Sequence, residues 1–227
     1  MSSVSVLFPY KPDHGRRDEL FNWVKRRWQS LLPEVEICVG ETSDVPFNRS
    51  RAINLAAEKA SGDTLIIADT DTAFEKDAIL EGIAQVNQEK CWFLPYRDYC
   101  RLDEPTTNRL LKENPDIEVT QKDFTPMEIT KGYVSGAVIL TRDAFRAVGG
   151  FDDRFQDWGG EDEAFFHAAK TLWSKVKRVD GSVFHLWHPP ARQATERDGK
   201  YLDNVWLLLK YQHAEGSPLV MKTLCRV

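Results

Sequence analysis

An open, mostly parallel α/β sheet flanked by helices is the fold class the sequence predicts, and two observations predict it. Strand-like and helix-like patterns alternate through residues 1–95. Such alternation favours a parallel sheet with helices on its faces. The second observation is Leu65-Ile66-Ile67-Ala68, an apolar run that ends abruptly in Asp69-Thr70-Asp71-Thr72. Ligands of these sheets bind outside the carboxyl ends of the strands, where those two acids stand.

Val4-Ser5-Val6-Leu7-Phe8 is a β-prone run, and Pro9 is expected to stop it before the turn residues Lys11-Pro12-Asp13-His14-Gly15. From Arg16 to Leu31, Leu20, Val24, Trp28 and Leu31 recur at helical spacing, and Pro33 ends the pattern. Val35 to Val39 alternates as a second strand, closed by Gly40-Glu41-Thr42-Ser43-Asp44. Phe47-Asn48-Arg49-Ser50-Arg51 opens a helix whose inner face is Ile53, Ala56, Ala57 and Ala60, and the aspartate-ending strand follows. A helix from Lys76 or Asp77 turns Ile79, Ile83 and Val86 inward, and Cys91-Trp92-Phe93-Leu94 is the next strand.

Residues 97–131 are polar and interrupted by Pro105, Pro115 and Pro126. They read either as an insertion near the site that orders on ligand binding or as a solvated surface meander. A strand over Tyr133–Leu140 and a short helix over Arg142–Val148, stopped by Gly149-Gly150, come next. The last strand, Val183 to His188, enters Pro189-Pro190 and an exposed polar segment. A terminal helix over Tyr201–His213 then turns Leu202, Val205, Leu208 and Leu209 inward as a cover for the sheet. The expected organisation is one domain over 1–227, with a first half at 1–95, a loop insertion at 96–131 and a second half at 132–227.

With 227 residues, 42% hydrophobic and 29% charged, the chain has the composition of a water-soluble globular domain, and its net charge of −5 disfavours a nucleic-acid partner. Cys38, Cys91, Cys100 and Cys225 lie far apart without a Cys-x-x-Cys pair, so reduced thiols are expected. No apolar run reaches membrane-spanning length, and MSSVSVLFPY lacks the basic and apolar segments of a leader. A cytoplasmic location without an integral membrane segment is the expectation.

Three groups of residues carry chemistry. Alternate residues at a strand's end point the same way, so Asp69 and Asp71 are expected to face one spot, either as a hard-cation site or as a strand-ending turn. Glu161 and Asp162 follow Trp158-Gly159-Gly160 at the start of a helix. There the positive helix end favours their charged forms, as a general base requires, and it equally suits plain capping acids. His185 and His188 face opposite sides of a regular strand, so both reach one metal only if the chain bends, which Pro189 permits.

With Phe47-Asn48-Arg49-Ser50 and Asn54, Asp69-Thr70-Asp71, Gly150-Phe151 through Trp158-Gly159-Gly160-Glu161-Asp162, and His185 to His188 in this order and spacing, the chain resembles metal-dependent glycosyltransferases of the GT-A fold. Its C-terminal half resembles the galactosyltransferase-type segment of beta-1,4-galactosyltransferases and chondroitin-polymerase-like enzymes. The resemblance covers roughly residues 4–190. It implies a nucleotide-sugar donor, with UDP-sugars first, and a manganese or magnesium ion. Asp71 would be the principal metal ligand, with Asp69 nearer the ribose or a metal-bound water. His185, which ends the apolar strand, is favoured as the completing ligand, with His188 sharing or holding that role as the alternative. Pro9, Tyr10, Arg16, Asn48 and Arg49 would meet the nucleotide or donor, Trp158, Gly159, Gly160 and Gly136 the acceptor, and Asp162, with Glu161 beside it, the acceptor's proton. Glu41-Thr42-Ser43-Asp44 departs from the common pattern at the nucleoside contact.

The activity implied is inverting transfer of a hexosyl unit to an acceptor hydroxyl on a glycan, a glycolipid, a protein or another hydroxyl compound. Two rivals stand beside it. A catalytically idle carbohydrate-binding module would need no ordered acids, and a nucleotidyltransferase would need a glycine-rich phosphate loop where Lys11-Pro12-Asp13-His14-Gly15 stands.

Overall fold

The computed structural model describes residues 3–157, 159–189 and 199–227. In chain order the elements are β1 (Val4–Tyr10), α1 (Arg16–Leu31), β2 (Glu36–Glu41), α2 (Arg49–Lys59), β3 (Thr64–Ala68), β4 (Thr72–Phe74), α3 (Lys76–Gln88), β5 (Trp92–Leu94), β6 (Asp98–Arg101), α4 (Glu104–Leu110), β7 (Glu128–Lys131), β8 (Ala137–Thr141), α5 (Arg142–Ala147), α6 (Glu161–Leu172), β9 (Val176–Arg178), β10 (Ser182–His185), α7 (Gly199–Ala214) and α8 (Pro218–Cys225). They build a six-stranded sheet ordered β2-β1-β3-β8-β5-β9 and a four-stranded sheet ordered β4-β10-β6-β7.

The α/β class holds, and so does parallel pairing at its start: β1 runs parallel to β2 and to β3. The later strands mix directions, because β8 is antiparallel to both β3 and β5. Every residue of β3 is buried, which is what an unbroken apolar run in mid-sheet requires. Pro9 does not stop β1. It pairs only with Gly40 of β2, beyond the last residue paired with β3, so its missing N–H falls where the strand is an edge.

α1 buries Leu20, Phe21, Trp23, Val24, Arg27 and Trp28. Each full burial of an apolar side chain of that size contributes about 1.5–3 kcal/mol. α2 is capped by Asn48, whose side chain accepts from the Arg51 N–H, and it lies tightly on β2: a Cβ on Gly40 would stand 1.8 Å from the Ala52 carbonyl oxygen.

Three expectations are corrected here. The stretch 97–131 is not one long loop: β6, α4 and β7 lie within it and supply half of the second sheet, with Tyr99, Cys100, Leu102 and Leu110 buried. The strand expected over Tyr133–Leu140 starts only at Ala137. Before it, Gly136 sits at φ +95°, and the Tyr96 hydroxyl bonds to the carbonyls of Tyr133 and Ser135, taking groups that a ladder would use. α7 packs on α6 and α8 rather than covering the sheet. Its buried stripe is Asn204, Leu207, Tyr211 and Ala214, while Leu202 is exposed. α8 had no counterpart in the sequence reading.

Between Ala68 and Thr72 the chain leaves one sheet and enters the other, so Asp69-Thr70-Asp71 is the crossing between them.

Candidate active site

The crossing is pinned from both sides. The Asp69 N–H donates to the Gly136 carbonyl at 3.0 Å, and the Asp71 carbonyl accepts from the Leu186 N–H at 2.8 Å. Since β10 pairs antiparallel with β4, His185 lies opposite Thr72 and thus beside Asp71. The regular strand ends at His185, and the bend beyond it brings His188 to the same place. Nε2 of His185 and of His188 stand 3.8 Å and 3.3 Å from Oδ2 of Asp71, and one ligand atom from each residue lies within 4.8 Å of the others. Both histidines therefore reach one point, as the bend at Pro189 allows.

The donor set fits a divalent cation. His188 Nδ1 can only donate to the Pro189 carbonyl, 2.8 Å away, which turns the lone pair of Nε2 towards Asp71. Two lone-pair-bearing groups at 3.3 Å need a cation or a proton between them. Burial lowers the pKa of His185 against the pull of Asp71, leaving a neutral imidazole suited to ligation. Burial would raise the Asp71 pKa, but His185, His188 and Arg17 outweigh it and hold the carboxyl well below its usual range.

Asp69 and Asp71 feel each other's charge but take different partners. The sheet crossing turns Asp71 to the histidines, whereas Asp69 is taken by Arg49, whose Nη2 lies 2.5 Å from Oδ1. Asp69 is outside the three-residue ligand group among the described residues, and burial, partly offset by Arg49, raises its pKa. Arg49 also donates from Nη1 to Asp162 Oδ1 at 2.7 Å and stands 3.5 Å from Glu161 Oε1. Burial opposes its charge, and Asp162, Asp69 and Glu161 together overcome that and raise its pKa. The Glu161 carboxyl is pushed up to about 7 by burial and then by its neighbour Asp162. Both acids sit in the first turn of α6, where Gly160 at φ +96° makes the cap.

The other expected residues separate into groups. Tyr10 donates to Asp18 at 2.7 Å, and its pKa is raised by burial and that bond, which ties it to α1. Arg16 pairs with Glu19 and reaches the Trp187 carbonyl and Asn108 rather than Asp69, Asp71, Glu161 or Asp162. Asn48 is a buried cap that also donates to the Asp153 carbonyl at 2.7 Å, and Pro9 is buried in β1, so both position the cleft from below. Gly136 lies under the crossing, against the Tyr99 ring. Gly159 and Gly160 take left-handed conformations before α6, and Trp158 lies outside the described residues.

Sequence reasoning missed Arg17, whose Nη1 is 3.6 Å from Asp71 Oδ2, and the aromatic wall of Tyr99 and Tyr133, with Tyr99 5.8 Å from the His185 ring. Adjacent residues at a helix start point about 100° apart, so nothing in the sequence chose between Arg16 and Arg17. Asp69, Asp71, Glu161 and Asp162 face the two guanidiniums of Arg49 and Arg17. Negative charge is in excess, as a cation site requires.

The family model described as the N-terminal domain of galactosyltransferase matches residues 108–189. Human beta-1,4-galactosyltransferase 5 is 24% identical over 94% of this chain and 49% of its own length. Human beta-1,4-galactosyltransferase 7 is 24% identical over 83% of this chain and 51% of its own. The chain thus spans about half the length of these curated relatives. A Drosophila beta-1,4-galactosyltransferase 7 mutant, solved in complex with manganese, UDP-Gal and xylobiose, superposes with a TM-score of 0.54 at 16% identity, covering 88% of this chain and 79% of that one. Staphylococcus aureus TarS (1–349) superposes at 0.58 and 10% identity, covering 98% and 69%. The fold is the GT-A, galactosyltransferase-like one.

Proposed function

We propose that this chain is a metal-dependent, inverting glycosyltransferase that moves a hexosyl unit from a nucleotide sugar, a UDP-sugar first, to an acceptor hydroxyl. One observation carries the reading: Asp71, His185 and His188 converge at the crossing after β3, whose other acid, Asp69, shares Arg49 with Glu161 and Asp162. The likeness to an enzyme solved with manganese and UDP-Gal supports it.

Asp71, His185 and His188 would hold the ion, manganese or magnesium. Bound there, it supplies positive charge that stabilises the departing diphosphate. The residues do the rest. Asp162 takes the proton of the acceptor hydroxyl as its oxygen bonds to the anomeric carbon. The bond from that carbon to the diphosphate oxygen breaks on the opposite face, with the electron pair leaving on the nucleoside diphosphate. Arg17, beside Asp71, is the cation that would meet that charge, while Arg49 holds the acids Asp69 and Asp162. Tyr99 and Tyr133 wall the cleft beside His185. A glycan, glycolipid, protein or other hydroxyl compound is the acceptor, and a cytoplasmic setting suits the buried free thiols of Cys38, Cys91 and Cys100. Recovery of a tagged chain from a secretory lumen overturns that last placement.

Release of nucleoside diphosphate from a panel of nucleotide sugars, with acceptor extracts and with manganese or a chelator, tests the function. We expect release that depends on manganese and is lost in Asp71→Ala, which should also weaken manganese binding measured by calorimetry. Equal turnover with chelator present sinks the metal reading, and no release from any sugar sinks the transferase reading.

A further inference from the structure

α7 grips the segment that leads into the acids of α6. Asn204 is only 4% exposed, an unusual place for an amide inside a helix. Its side chain accepts from the Gln156 N–H at 3.2 Å and donates to the Gln156 carbonyl at 2.9 Å. A primary amide thus stands in for a neighbouring strand, satisfying both polar groups of one residue's main chain. Two turns further along the same stripe, the Tyr211 hydroxyl donates to Asp152 Oδ2 at 2.9 Å. Buried Phe155 lies between, its ring 6.2 Å from that of Tyr211, and a Cβ on Gly160 would stand 2.8 Å from Phe155.

The segment that is gripped turns through left-handed backbone: Asp157, Gly159 and Gly160 have positive φ, at 67°, 100° and 96°, conformations that glycine and aspartate accept more readily than other residues. Gln156 immediately precedes this run, and Glu161 immediately follows it.

We propose that Asn204 is a positioning residue for this reaction: by clamping the Gln156 backbone it steadies the approach to α6, and through it the placement of Glu161 and Asp162 against the acceptor. The proposal rests on the transferase reading for its acceptor half, while the clamp is a matter of structure alone. The Asp71 side of the site is carried by β3, β4 and β10, and among the described residues no hydrogen bond or ion pair runs to those strands from α7, which packs on α6 and α8. Loss of the amide should therefore separate acceptor recognition from donor recognition.

The test compares Asn204→Ala with Leu207→Ala, a buried position on the same helix that has no bond to the segment. Hydrogen exchange followed by mass spectrometry is read over residues 152–162 and over 64–74, together with melting temperature, donor affinity in the presence of manganese, and kcat/KM for the acceptor. Asn204→Ala is expected to speed exchange over 152–162 and to lower kcat/KM for the acceptor by roughly 10- to 100-fold, the scale of a misplacement of about 1 Å. Exchange over 64–74 and donor affinity stay as in the parent. Leu207→Ala lowers the melting temperature without that selectivity. If both variants speed exchange in proportion to lost stability, Asn204 is ordinary packing and the proposal falls. If the parent binds no nucleotide sugar, the transferase reading falls, and the exchange comparison still decides the clamp.

Discussion

Arg49 is shared among three carboxylates, and what each acid does depends on its share. Asp162 has the close contact, at 2.7 Å. Asp162→Asn keeps an oxygen for Arg49 but cannot take a proton. It should lower kcat by about 100- to 10,000-fold, the usual worth of general base catalysis, and leave donor affinity unchanged. A variant turning over at the parent rate removes Asp162 from the mechanism. Glu161 lies farther from Arg49, and its pKa of about 7 exceeds the ordinary 4.5. Between those values the folded chain binds a proton that the unfolded chain does not, so this group makes stability fall as pH rises from 4.5 towards 7. At ~1.4 kcal/mol per pKa unit the effect is on the order of 3 kcal/mol at most. Glu161→Gln should therefore flatten the melting temperature between pH 5 and pH 8 by several degrees relative to the parent, since ~1 kcal/mol shifts a domain of this size by about 2–4 °C. Parallel curves for the two proteins contradict the assignment.

At the scale of elements, legibility followed the strength of the repeating pattern. α1 runs from Arg16 to Leu31 as its apolar spacing predicts, and the helix opening after Asn48 follows from the residue's capping chemistry. β4 has three residues and β7 is mostly exposed, and so short or so polar a strand leaves no alternation to read. α7 misled for a different reason. Its inward stripe contains Asn204, so an apolar count chose the neighbouring face with Leu202 and Leu209. Gly40 is where two elements meet most tightly. Gly40→Ala places a carbon 1.8 Å from the Ala52 carbonyl, and backbone against backbone cannot give way as a side chain can. Overpacking of this kind costs about 1–3 kcal/mol and often more. Urea denaturation should show a lower midpoint with an unchanged slope, and an unchanged midpoint means that α2 does not bear on β2 as described.

At the scale of the molecule, two sheets meet at one crossing, and a buried arginine ties the region outside the crossing together. Arg27 is 2% exposed, donates to the carbonyls of Phe74, Pro115 and Ile117, and has its pKa lowered to about 10 by burial, so it stays charged at neutral pH. Arg27→Met leaves those carbonyls without this donor, each at a cost of about 1–3 kcal/mol. A fall of several degrees in melting temperature is expected, and a variant as stable as the parent shows that other donors replace it. The acids and histidines of the site were legible because their residue types declare their chemistry. The parting of Asp69 from Asp71 was not, since it follows from a change of sheet between them that local alternation does not encode. That crossing has a further consequence. Main-chain bonds from Asp69 to Gly136 and from Leu186 to Asp71 fix where the ligand-bearing backbone lies, whichever side chains it carries. The crossing is thus fixed apart from what it presents: exchanging the side chains at Asp71, His185 or His188 alters the chemistry on show without refolding the scaffold beneath.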